Sequence, residues 1–166
     1  MMAFPSLLLA IALITIFRSS SWGVSIALTI VYTPRTVRIV RSQVLVLKNE
    51  QYVEASKSIG SNSLRILFTH ILPGIFPVLI VQETFLFAYA ILGEAGISFV
   101  GLGVQPPAPS WGNILGDARV LLKEASWMVL YPGLAIMLSV LSLNLIGDGL
   151  REILDPKRKK GQMRDS

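Results

Sequence analysis

His70 is the single histidine of 166 residues, and Glu83 and Glu94 are carboxylates set in a long apolar run that begins at Ile71. Imidazoles and carboxylates are the groups that move protons and hold metals. Here their spacing supports neither task. Neither acid is paired with a second acid or a histidine at metal-ligand spacing, and no nucleophile stands beside a base. Cysteine is absent, which excludes disulfides, thiol catalysis and cysteine-based metal sites. No G-x-x-x-x-G-K-[ST] occurs, so the chain carries no phosphate cradle of that kind for a nucleotide. No catalytic residue, no metal site and no cofactor is expected. His70 reads as a polar residue at an interface. A carboxylate inside an apolar run is costly and is a functional candidate by default, which singles out Glu83. The alternative is a hydrogen bond to a neighbouring helix, or, for Glu94, a place at an outer surface.

The other chemistry-bearing stretch is YVEASKSIGSNSLRILFTHILP, residues 52–73, polar and basic in an otherwise greasy chain. Before Gly60, QYVEASKSI has no proline or glycine and suits a short helix, with Glu50 and Glu54 toward its positive end. Gly60 can take the left-handed turn that ends such a helix. Ser61, Asn62 or Ser63 can cap a second one, in which Leu64, Leu67, Phe68 and Ile71 recur on one face. Pro73 then forces a break or kink. A short helix with small residues at Ala55, Ser56 and Ser58 and one directed charge at Glu54 is suited to docking a partner. A helix-turn-helix lying on lipid is the competing reading.

These residues need a frame, and the composition provides one. The chain is 52% hydrophobic and 15% charged, with mean hydropathy +0.62; soluble domains are nearer a quarter charged. The apolar residues come in blocks, not stripes, which makes the bilayer the natural solvent. An all-α polytopic membrane bundle of about four spans is expected. The first block runs from Met2 to Phe17 and lacks the basic flank and cleavage site of a signal peptide. The second starts at Trp22 and fades at Val40, with Arg35 and Arg38 snorkelling. The third, Ile71 to Val100, is too long for one straight crossing, and a short helix or re-entrant piece is expected near GEAGISFVGLG. The fourth spans Trp127 to Ile146, where Gly133, Ala135, Ser139 and Ser142 suit close helix packing.

Orientation follows the basic residues. Arg35, Arg38, Arg41, Lys48, Lys57 and Arg65 lie between blocks two and three, and Arg151, Lys157, Arg158, Lys159, Lys160 and Arg164 follow block four. Together they are 12 of the 15 Lys and Arg. The loop 41–70 and the tail 155–166 are therefore expected in the cytoplasm, and 101–126 outside. The KRKK run reads as a positive-inside anchor and not as a nucleic-acid site. In the outer segment, the prolines of QPPAPSWG and Trp111 make a stiff turn, either at an outer mouth or as a plain connector.

Glu54-Ala55, Gly60 and Leu72-Pro73 stand at the positions of the EAA motif, E-A-A-x3-G-x9-I-x-L-P, with Ser56 and His70 in place of the motif's third residue, alanine, and its isoleucine. In this the chain resembles the permeases of binding-protein-dependent ABC importers. FVGLGVQPPAPSWGNIL and NLIGDGLREILDPKRK are similar to the dipeptide/oligopeptide/nickel subfamily, in particular its C-type subunit. The likeness covers essentially the whole chain. It implies a permease domain over residues 1–154 and a cytoplasmic coupling helix that docks on an ATPase through Glu54, Ala55, Ser56 and Gly60. Leu72 and Pro73 would fix how that loop joins the third block. On a pathway-lining face, Glu83 would meet a peptide amino terminus or a metal cation. The implied partners are a second permease subunit, two cytoplasmic ATP-binding subunits, an extracytoplasmic substrate-binding protein and the lipid bilayer. The implied location is the inner membrane, and ATP hydrolysis falls to the partners. Permeases of this family carry about six spans, so the resemblance also implies that two N-terminal spans are missing. The alternatives are a nickel or other small-solute permease, and an inactive truncated remnant that acts only as a membrane scaffold.

Overall fold

The computed structural model describes residues 5–17 and 20–154. Arg18 and the basic tail 155–166 lie outside the described residues. The regular structure described is helical: α1 (Ser6–Ile16), α2 (Ser21–Lys48), α3 (Gln51–Ser58), α4 (Ser63–Ile66), a π-helical turn (Leu67–Ile71), α5 (Leu72–Phe99), α6 (Trp111–Ala118), a 3₁₀ turn (Arg119–Leu121) and α7 (Trp127–Leu154). Two described helical stretches are long and apolar enough to cross a membrane, Ser63–Phe99 and Trp127–Leu154. At 1.5 Å per residue the 28 residues of α7 reach about 42 Å, more than the ~30 Å of a hydrocarbon core. The other two apolar elements of the expected four are α1, 11 residues as described, and α2, whose arginines begin directly after Pro34.

Three expectations are corrected. Helix α2 does not fade at Val40 but runs to Lys48, because no proline or glycine follows Pro34 within it. Helix α5 has no short or re-entrant piece near GEAGISFVGLG; it continues to Phe99. Gly93 is a contact there and not a break: a Cβ on it would come within 2.9 Å of the Tyr32 hydroxyl. Nor does the chain break at Pro73. The irregularity falls one turn earlier, where the Leu72 N–H donates to Leu67 O across five residues. Pro73, which has no N–H, follows that wider turn without interrupting the helical run.

Contacts divide the chain into two units: Met1–Pro34 with Leu86–Asn144, and Arg35–Phe85 with Leu145–Ser166. In the first, Ala10 and Ile14 of α1 pack with Val24, Ala27 and Leu28 of α2, Ile97 of α5 and Val104 of the following loop. Ser20 caps α2, its hydroxyl accepting from the Gly23 N–H at 3.1 Å. Outside this core the surface is inverted relative to a soluble protein. Leu130, Leu134, Leu138 and Leu141 of α7 are all exposed, whereas Pro132 and Ile136 are buried. Such a leucine stripe is a liability in water and ordinary against lipid or another helix.

In the second unit Val53, Ile66 and Ile71 form the core, with Val44 against them. Helix α2 meets α5 at Gly74, where a Cβ would fall 2.9 Å from the Cδ1 end of the Leu47 side chain. The expected apolar face, Leu64, Leu67, Phe68 and Ile71, is not the buried one. Leu64, Leu67 and Phe68 are exposed, and Ile66, Ile71 and Ile75 are buried instead. The π turn is the reason. A five-residue step aligns Ile66 with Ile71, and the four-residue step of the resumed α-helix aligns Ile71 with Ile75.

Candidate functional site

Helix α3 is short and its ends are well defined. Extended backbone at Glu50 starts it, and Glu54 in its first turn and Lys57 in its last complement the helix dipole. Ile59 and Gly60 end it. Gly60 sits at φ +81°, its N–H donates to Lys57 O at 2.9 Å, and the Ser61 N–H donates to Ser56 O at 3.1 Å. That bond pair is a Schellman closure with glycine in the left-handed position. The next helix starts from extended backbone at Asn62, with no side-chain capping bond.

One side of α3 faces the protein. Val53 is 0% exposed, against Ile66, Ile71 and Val44. Three residues on, the Ser56 hydroxyl lies 3.0 Å from Nε2 of His70 in the π turn, and the Tyr52 ring is 5.7 Å from that imidazole, tilted by 59°. The other side is open: Glu54, Ala55, Lys57, Ser58 and Ile59 are exposed. The sequence-nominated residues thus separate. Glu54, Ala55 and Gly60 share the open side and end of α3, whereas Ser56 turns inward. Leu72 and Pro73 are exposed at the start of α5, directly after the π turn. Glu83 is exposed about 15 Å further along α5 by helical rise and joins none of them.

A second polar cluster, in the other unit, was not legible in the sequence. Glu94 Oε1 accepts from the hydroxyls of Ser98 and Ser110, each at 2.6 Å. Ser98 Oγ in turn accepts from the Val104 N–H, Ser110 Oγ caps α6 through the Gly112 N–H, and the Asn113 amide donates to Val104 O. One carboxylate therefore ties the proline-rich segment to the end of α5. The sequence leaves Glu94 between a bond to a neighbouring helix and an outer surface; in the structure it bonds Ser98 of its own helix and Ser110 at the start of α6. Among the described residues no three His, Cys, Asp or Glu side chains converge in a way that would hold a metal ion.

What the arrangement of α3 offers is a presented surface. Comparison with known proteins agrees with a transport component. A family model described as "Binding-protein-dependent transport system inner membrane component" matches residues 1–160. A putative peptide transport system permease protein of Brucella suis is 49% identical over 159 residues, 96% of this chain and 54% of the relative. The dipeptide transport system permease protein DppC of Alkalihalophilus pseudofirmus is 49% identical over 159 residues, 96% of this chain and 52% of that protein. DppC of Escherichia coli is 48% identical over 160 residues, 96% of this chain and 53% of that protein. The chain spans about half the length of the curated relatives it matches.

Proposed function

The chain belongs to the family of binding-protein-dependent transport system inner membrane components, and from that premise we propose that it forms part of the permease of an ABC importer for short peptides. Helix α3 is the element through which cytoplasmic ATP-binding subunits move it. A second permease subunit completes the pathway, and an extracytoplasmic binding protein delivers the solute. The loop 41–70 and the tail 155–166 face the cytoplasm, and Glu83 faces the pathway. The peptide class of the solute is supported by relatives that are peptide and dipeptide transport system permeases.

The observation that carries the docking reading is the asymmetry of α3. Val53 anchors it to the second unit, while Glu54, Ala55 and Ile59 stay open to a partner. Small side chains let a partner backbone approach, one carboxylate gives direction, and a closed Schellman turn prevents the helix from lengthening under load. Leu72 and Pro73 set the path by which a push on α3 enters α5.

In the assembled transporter, Glu54→Lys is expected to abolish uptake while the subunit still inserts. At Gly60 two substitutions separate geometry from bulk. No atom lies within 4 Å of the position a Cβ would take, so Gly60→Ala meets only the left-handed backbone penalty, about 1–2 kcal/mol. Proline cannot adopt φ +81° and lacks the N–H that bonds Lys57 O. Gly60→Ala should reduce uptake only modestly, and Gly60→Pro should abolish it. Normal uptake by Glu54→Lys and Gly60→Pro would remove the docking role.

A further inference from the structure

We infer that Ser56 and His70 form a polar latch that makes α3 and the π turn move as one body, and that both are positioning residues for coupling. The inference rests on the reading of α3 as the docking helix.

The route from α3 to the membrane-crossing part of α5 contains two soft joints. One is the Gly60 turn, with its left-handed backbone. The other is the π turn at Leu67–Ile71, followed by a proline that contributes no backbone hydrogen bond. A push on α3 would be absorbed at these joints unless the two arms were tied together across them. The apolar contact of Val53 with Ile66 and Ile71 resists separation but has no direction. A hydrogen bond does have direction. The one between Ser56 and His70 spans 14 residues of sequence, crosses the Gly60 joint and fastens α3 directly to the π turn.

The protons can be placed. Ser56 Oγ donates its single hydrogen to Tyr52 O at 2.9 Å. With that hydrogen used, the contact to His70 is completed by the Nε2–H tautomer, which donates to Ser56 Oγ. Tyr52 contributes twice, its carbonyl orienting the serine and its ring lying beside the imidazole. Position 56 therefore needs an acceptor and position 70 a donor of imidazole reach. Ser56 and His70 are also the two positions at which the stretch departs from the EAA motif. The two departures touch.

The test is a double-mutant cycle in the complete transporter, reading peptide uptake and ATP hydrolysis on the same membranes and the amount of inserted subunit. Ser56→Ala and His70→Ile should each lower peptide taken up per ATP hydrolysed about threefold to tenfold, the net worth of one ordinary hydrogen bond. Insertion should not change. The double variant should be no worse than the poorer single one, because the second change removes a partner already lost. His70→Gln, which keeps a donor at similar reach, should retain most of the coupling. Multiplying losses in the double variant, an unmoved coupling ratio, or His70→Gln failing like His70→Ile would overturn the latch. Gly60→Pro, run alongside, separates the two levels. If it abolishes uptake while the cycle shows no interaction, the latch alone is wrong. If it transports normally, the docking reading falls and the latch with it.

Discussion

Ile59 ends α3 with its side chain 83% exposed, beside the left-handed Gly60. A lone isoleucine so exposed in a polar stretch contributes nothing to the fold and is available to a partner as an apolar anchor. Interfaces concentrate their energy in a few such residues buried near the centre. Under the docking reading, Ile59→Asp should weaken retention of the ATP-binding subunit on the detergent-solubilised permease by tenfold or more, with insertion unchanged; equal recovery would place Ile59 outside the interface. The residues of this site were unevenly legible. Gly60 announces itself, because a glycine closing a helix-compatible run has few other uses. Ile59 does not, since an apolar residue in a sequence carries no sign of whether it will be covered. The Ser56–His70 contact was equally hidden. In the sequence each stands as a separate departure from the motif, and only the fold brings positions 14 apart within hydrogen-bonding distance.

At the scale of elements, the composition predicted helices and they formed, but helix type and helix ends follow finer causes. No residue in LFTHI signals a π turn, so an ordinary α-helical step points to Leu64, Leu67 and Phe68, whereas the five-residue step buries Ile66 and, through Ile71, Ile75. The end of α5 was misplaced because Gly93 and Gly96 look like breakers when their neighbours are unknown. Helix α6 shows what glycines do here instead. Gly112 and Gly116, four apart, bring it onto the last turns of α5, where a Cβ at Gly112 would lie 2.8 Å from Ala95 Cα and one at Gly116 2.9 Å from Phe99 O. Backbone cannot move aside as a side chain can. Gly112→Val should therefore cost more than the ~1–3 kcal/mol of ordinary overpacking. It should appear as low amounts of inserted chain and easy proteolysis of the 101–126 segment. Gly133→Ala is the matched control, since nothing lies within 4 Å of its Cβ position, and it should leave both measures unchanged. Similar behaviour of the two variants would show that α6 is not held by glycine contact.

The whole molecule is governed by the side of the bilayer on which α3 lies. The helix supports coupling only if it shares a compartment with nucleotide, and the basic residues argue for that side. Six of them lie between Arg35 and Arg65, whereas 101–126 carries only Arg119 and Lys123, balanced by Asp117 and Glu124. The structure adds reporters at both places. Lys57 is exposed on α3, and Val120 is 82% exposed in the 3₁₀ turn after α6. The chain has no cysteine of its own, so a single introduced thiol is an unambiguous target. In sealed cells an impermeant maleimide should label Val120→Cys and leave Lys57→Cys untouched, and in inverted vesicles the pattern should reverse. Labelling of Lys57→Cys from outside would put α3 beyond the reach of any cytoplasmic ATPase. The exposed Glu54 and Ile59, the Schellman turn and the latch would then be features of an extracytoplasmic loop, with no route to the energy of ATP.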